Sequence, residues 1–378
     1  MDCRVGRSCT ADTGVSGHLW GHQHLHLYQS GEVIFSTKAR PGSGGRSIAA
    51  IFLVPFFLFI SACSAPQTRD LLSQKQANVP QKQLLQVPFF PQEQYQCGPA
   101  ALAGLLKFHG VETNPEELQP LVYLPDRQGS LQVEMKAGLR RYGLIALPLT
   151  AVNGEAMSRL IAALDENYPV LVLQNLGIDL APQWHYAVVT GYDLGSGEII
   201  LNSGTQPNLR LNMSRFEHTW RRSGYWALLA STPDRIPKLA DPLGWNSAAL
   251  ESEQTGQLLV AFTAYQAALQ RWPDNELALL GSGNTAYSLH RYGPAAESFY
   301  RLAISNGDQA ATGWNNLAYA LMSLQCLPEA RLAAAKALAL QPDSVSIMHT
   351  VEEVGRWSAN PGPGPVAHCE PWRLRLAD

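Results

Sequence analysis

The chain has 378 residues, 46% of them hydrophobic and 16% charged, with 28 Lys and Arg against 31 Asp and Glu for a formal charge of −3. That length asks for two or three domains of ~150 residues, and the composition excludes wholesale disorder. The balanced, scattered charge gives no electrostatic footprint for a nucleic-acid partner and no polybasic patch. Six cysteines, at positions 3, 9, 63, 97, 326 and 369, form no CxxC pair and no zinc-type spacing, so neither a metal nor another cofactor is expected.

Residues 48–62, IAAIFLVPFFLFISA, form an uncharged apolar run of 15 residues behind Arg46. A spanning helix needs ~20 such residues, whereas a signal-peptide core needs ~7–15. The run ends in Ile60-Ser61-Ala62-Cys63, which resembles a lipobox, and the resemblance implies diacylation of Cys63. Two acyl chains give stable anchoring where one is marginal. Ser64 in place of Asp after the cysteine implies, by the bacterial sorting rule, the outer membrane of a Gram-negative cell, facing the periplasm. Residues 1–45, with the His-rich GHLWGHQHLHLYQ, fit nothing downstream; metal binding is one reading and a start codon set too early is the simpler one. Residues 46–63 are thus the signal, and the polar stretch 64–84 reads as a tether.

A denser pattern occupies residues 85–232. Helices are predicted over Gly98–His109, Pro115–Gln119, Val133–Tyr142 and Gly154–Asn167, with Gly110 and Gly143 as stops. The apolar run Pro169–Leu173 follows. Two strand-like runs, His185–Tyr192 and Glu198–Asn202, are joined by Leu194-Gly195-Ser196-Gly197, a hairpin signal, and Tyr225–Leu229 reads as a further strand. Helices first and strands later indicate an α+β domain.

From Trp245 the pattern turns to Ala/Leu-rich helical periodicity. Trp245 and Pro273, Leu280 and Asp308, and Trp314 and Pro342 are each 28 apart, and small residues recur at Ala261 and Ala268, Ala296 and Ala303, and Ala330 and Ala337. Tyr265 and Tyr300 stand at an aromatic position that Ala334 fills in the third unit. This resembles the tetratricopeptide repeat, of period ~34 residues, over 245–347, and implies an all-α stack with a concave partner-binding surface. The tail, 348–378, with Asn360-Pro-Gly-Pro-Gly-Pro365, reads as irregular. Cys326 and Cys369 are candidates for a disulfide in an oxidising compartment, with connectivity not fixed by sequence.

The chemistry centres on Val87–Leu102, VPFFPQEQYQCGPAAL. Pro99 favours a helix start, so Cys97 lies at a helix N-terminus, where free N–H groups and the macrodipole stabilise a thiolate. His185 opens a strand, and Asn202 follows 17 residues later on the returning strand of the proposed hairpin. A base oriented by a third polar group is what Cys/His catalysis requires. The segments Gln92–Leu102, His185–Asp193 and Leu201-Asn202 resemble the papain-like, bacteriocin-processing (double-glycine leader) cysteine peptidases in their stand-alone form, over about residues 87–231. The resemblance implies a papain-like fold with Cys97 as nucleophile, His185 as base and Asn202 as orienting group. It also implies that Gln92 builds the oxyanion hole, with Gln94 and Gln96 as competitors. Asn202-Ser203 stands where that family carries Asp-Pro, and Asn adds no charge to stabilise imidazolium.

The function implied is a lipoprotein thiol peptidase acting through an acyl-enzyme on a peptide or protein, with the repeats binding substrate or a protein partner. The alternatives are a catalytically silent outer-membrane scaffold, or an amide transferase or peptidoglycan amidase using the same residues.

Overall fold

A computed structural model of the chain describes residues 65–73, 80–92, 96–149, 154–305, 307–358 and 369–376. The leader 1–45, the apolar run 48–62, Cys63 and Gln94 lie outside the described residues. Among the described residues no helix is long and apolar enough to cross a membrane.

The stretch expected as a tether holds a helix instead, α1 (Pro66–Ser73), which is docked on the core. Its Leu71 is buried, and its first-turn N–H groups of Gln67 and Thr68 donate to the buried Glu217 carboxylate at 3.3 and 2.7 Å. A carboxylate at a helix N-terminus satisfies orphan donors and opposes the positive end of the dipole. Within this polar stretch, Pro66–Ser73 is held to the core by Glu217 and by Leu71.

Next come β1 (Lys82–Leu84) and three helices: α2 (Cys97–Phe108), α3 (Pro115–Val122) and α4 (Gln132–Arg141). Asn114 caps α3 by accepting the Glu117 N–H at 2.9 Å, and the helix runs three residues past the predicted end with Pro120 inside it. Then follow β2 (Ile145–Pro148), α5 (Ala156–Asp165), β3 (Val170–Asn175), β4 (Trp184–Asp193), β5 (Glu198–Ser203), β6 (Gln206–Asn212), α6 (Met213–Arg221) and β7 (Ala227–Ser231). The strands form one antiparallel sheet in the order β2-β7-β3-β4-β5-β6, with β1 on the far end of β4. Short β2 and polar-faced β6, with its alternate exposed residues, gave too weak a sequence signal to be predicted.

Strand parity decides which side of the sheet each residue serves. Leu171, Leu173, Tyr186, Val188, Leu228 and Ala230 pack against α2, α3 and α4. Val170, Val172, Ala187, Val189, Leu201 and Leu229 pack on the other side against α1, α5 and α6. The result is an α+β layer covered on both faces, as the sequence predicts.

The second half is all-α. Helices α7 (Pro242–Gln254) and α8 (Leu258–Arg271), α9 (Glu276–Ser288) and α10 (Tyr292–Ala303), and α11 (Ala310–Ser323) and α12 (Leu327–Leu340) stack as three antiparallel pairs. Of the expected aromatic positions, Tyr265 meets a glycine that the repeat pattern did not single out, and Phe299, beside Tyr300, meets another. A Cβ on Gly281 would lie 2.2 Å from the Tyr265 ring, and one on Gly283 2.3 Å from Phe299. Ile145 of β2 joins Trp245 of α7 in one buried cluster, and Glu251 of α7 pairs with Lys136 (2.6 Å) and Arg140 of α4, so the stack is seated on the sheet domain.

The tail differs from the irregular segment expected. α13 (Val345–Ser358) caps the stack, and α14 (Glu370–Leu376) returns to it. A disulfide joins Cys326 to Cys369, and Trp372 and Leu376 are buried in the repeat core. Covalent attachment, with these two apolar anchors, orders a segment whose Pro/Gly-rich approach reads as loop.

Candidate active site

Cys97 is the first residue of α2. Gly98 follows because nothing larger fits: a Cβ there would lie 2.1 Å from the Ser130 hydroxyl. The backbone N–H groups of Tyr186, Gly98 and Cys97 itself act on the Cys97 thiol. Burial nonetheless dominates and pushes the Cys97 thiol above its ordinary range, with those three donors pulling the other way. The low thiol pKa expected from the helix terminus is therefore not what the site presents at rest. Desolvation outweighs the dipole.

His185 stands near the start of β4, one peptide from the N–H that meets the Cys97 sulfur. Burial lowers its pKa, so the imidazole is held neutral. Its Nε2 lies 2.8 Å from the Ser203 hydroxyl. Among the described residues no hydrogen bond joins Cys97 to His185, so the resting pair is a thiol and a neutral imidazole.

Asn202 does not reach His185. In the β4–β5 ladder Asn202 faces Val188, which puts it on the α2 side of the sheet, whereas His185 shares the parity of Ala187 and Val189. Ser203, one residue on, shares the parity of His185 and lies diagonally across from it. Asn202 sits instead where the β5–β6 register slips between Leu201 and Ser203. Its amide donates to the Val87 carbonyl at 3.2 Å, and its oxygen accepts the Asn208 N–H at 3.1 Å. Such a bulge leaves backbone groups unpaired, and this side chain satisfies two of them.

Gln92 is tied to the same corner through its N–H, which donates to the Gly204 carbonyl at 3.1 Å. It lines a cavity of about 10 Å³ with Asn202, Ala100 and Ala101, one turn along α2 from Cys97. Gln96 occupies the N-cap position of α2 without a side-chain capping bond. The structure thus places Cys97, the start of β4 and Ser203 at one end of the sheet, with Gln92 and Asn202 in the neighbouring wall. Ser203 is the residue that sequence reasoning passed over. Its only signal was adjacency to Asn202, because a one-residue change of register decides which of the two faces the histidine.

Residues 84–228 match the Peptidase_C39 like family. They carry a C39-like peptidase domain. The tetratricopeptide-type stack follows it, and the fold class is the one the sequence implies. Among solved structures, the chain is similar to a C39-like peptidase from Bacillus anthracis, at 16% identity over 42% of this chain and 100% of that one (TM-score 0.34). It is similar also to the peptidase domain of Streptococcus ComA, described as a bi-functional ABC transporter of a quorum-sensing pathway, at 21% identity over 39% and 97% (TM-score 0.30). The first tetratricopeptide domain of human RPAP3 aligns at 16% identity over 31% and 92% (TM-score 0.30). No curated protein matches the chain in sequence.

Proposed function

We propose that the chain is a lipid-anchored, periplasm-facing cysteine peptidase that cleaves a peptide or protein amide through a thioester on Cys97. The observation that supports it most is that, inside a C39-like domain, the Tyr186 N–H at the start of β4 acts on the Cys97 thiol one peptide from His185. The His185 ring, 2.8 Å from the Ser203 hydroxyl on the face opposite α2, turns round the strand's start to reach the thiol. We assign Nε2–H as the donor to Ser203, which leaves the lone pair of His185 on Nδ1 for its role as base. His185 takes the thiol proton as the substrate carbonyl arrives, and the thiolate attacks. The resulting oxyanion is met by backbone N–H groups at the α2 terminus and by Gln92 once its amide swings from the neighbouring wall. The imidazolium then protonates the leaving amine, and water, deprotonated by the same nitrogen, hydrolyses the thioester. Ser203 orients the ring without adding charge, so the imidazolium is stabilised less than beside a carboxylate. The repeats bind the substrate or a protein partner, and Cys63 carries the anchor.

The neutral thiol and imidazole favour one second reading, a silent module in which Cys97 only packs. Both are tested by incubating the chain with a peptide library, quenching in acid and reading intact mass. A thioester adduct on Cys97 that His185→Ala suppresses supports the peptidase. No adduct with any peptide from about pH 5 to 9 leaves the silent module.

A further inference from the structure

The hairpin between β3 and β4 holds apolar side chains out in water. Leu176, Ile178 and Trp184 are 49%, 61% and 53% exposed, and Leu180 at its tip is 96% exposed. This is not a loose loop. The buried Asn175 side chain accepts the N–H groups of Gly177 at 3.0 Å and Gln183 at 2.9 Å, Leu176 N–H donates to Gln183 at 2.8 Å, and Ile178 pairs with Ala181. A Cβ on Gly177 would lie 2.3 Å from the Ala181 carbonyl, so the turn closes only with glycine there. The rigid turn cannot fold its leucine back onto the core.

Three further observations bear on what covers it. First, the hairpin lies along the C-terminal half of α6, where Arg222 donates to the Asn175 carbonyl at 2.7 Å, Gln174 donates to Thr219 at 2.6 Å, and Asp179 acts on His218. Second, α6 and the residue after it carry Arg215, Arg221 and Arg222, while the acids of helix and hairpin are Asp179 and the buried Glu217. Third, α1 runs antiparallel to α6. Its Leu72 lies against Gly197, whose carbonyl accepts the Met213 N–H at the start of α6, while its first turn meets Glu217 further along. The N-terminal end of α1 therefore faces the hairpin end, and Cys63 is two residues before Ala65 in the sequence, at most ~7 Å of backbone.

We infer that the hairpin and the basic edge of α6 form a docking face for an anionic lipid surface, which seats the active-site end of the domain on the bilayer beside the anchor. The inference rests on the lipoprotein reading of Cys63. Apolar and aromatic side chains that enter the headgroup boundary beside cations are the means by which peripheral faces bind bilayers. With His185 next to Trp184 at the hairpin's base, the peptidase would work on chains lying at or leaving the membrane surface.

The test uses the full chain carrying Cys63→Ala, which removes acylation, and vesicles of phosphatidylglycerol with phosphatidylethanolamine against pure phosphatidylcholine. Expected is co-sedimentation with the anionic vesicles that added salt weakens. The combined Ile178→Asp and Leu180→Asp change should weaken it at least tenfold, with the melting temperature and iodoacetamide labelling of Cys97 unchanged. Cys97→Ala should bind vesicles as before, so a failed peptidase reading would leave this result standing. Absent vesicle binding, or binding indifferent to the two aspartates, overturns the inference. If binding is absent and the two aspartates instead abolish peptide adducts, the hairpin grips peptide, which overturns it too.

Discussion

The sheet domain and the repeat stack both bury continuous cores but encode their structures at different scales. In the stack, contacts recur: small residues face rings at Gly281 and Gly283, and at Gly313 a Cβ would lie 2.5 Å from the Ala303 backbone nitrogen. The same requirement repeated along the chain is visible as periodicity. In the sheet domain a single step of register separates Asn202, on one face, from Ser203, on the other. The second half is therefore specified by contacts that recur along the stack, whereas the candidate site in the first half hangs on individual positions.

That contrast can be broken at its sharpest point by Cys97→Ala, which should cut peptide turnover by about 10⁴-fold or more while leaving melting unchanged. Turnover that survives would move the chemistry elsewhere. Next in size is the clamp on the stack. Replacing Cys326 and Cys369 with Ala opens a 43-residue link and should cost about 2–4 kcal/mol, seen as earlier melting of the helical signal with Cys97 labelling retained. Equal loss in both halves would show that they unfold as one.

Acid should separate the halves in the opposite sense. Burial, with Arg235 nearby, lowers His109 of the sheet domain to about 4. A histidine depressed in the folded state gives stability that is present in full above ~6.5, its unfolded pKa, and lost as pH falls toward 4. About 2–3 kcal/mol is expected, and His109→Gln should flatten that slope in urea titrations at a series of pH values.

The finest contrast lies within two adjacent residues. Ser203→Ala should lower kcat/KM about 10–100-fold and shift the pH profile of the His185 limb, with stability intact. Asn202→Ala should cost about 1–2 kcal/mol of stability through its lost bonds to Val87 and Asn208. The reverse pattern would return the orienting role to Asn202.

Much of this was legible in the residues themselves. Cys97 at a helix start, His185 on a strand and three helical pairs follow from Pro99, β-branched runs, and the 28-residue spacing with its recurrent Ala. What was hidden has physical causes. The thiol's raised pKa is a burial effect that sequence position does not carry. Docking of α1 depends on Glu217, some 150 residues away, and order in the tail depends on a disulfide whose connectivity the spacing leaves open. Ser203 was missed because hydrophobic alternation identifies strands but not the register between them.

The central claim is that His185 activates Cys97, and a peptidyl acyloxymethyl ketone measures it most directly, since the probe needs a positioned thiolate formed in the site. Cys97 alone should be labelled, His185→Ala should slow labelling at least 100-fold, and Ser203→Ala should slow it more than Asn202→Ala does. Labelling that His185→Ala leaves untouched would contradict it and make Cys97 a packing residue.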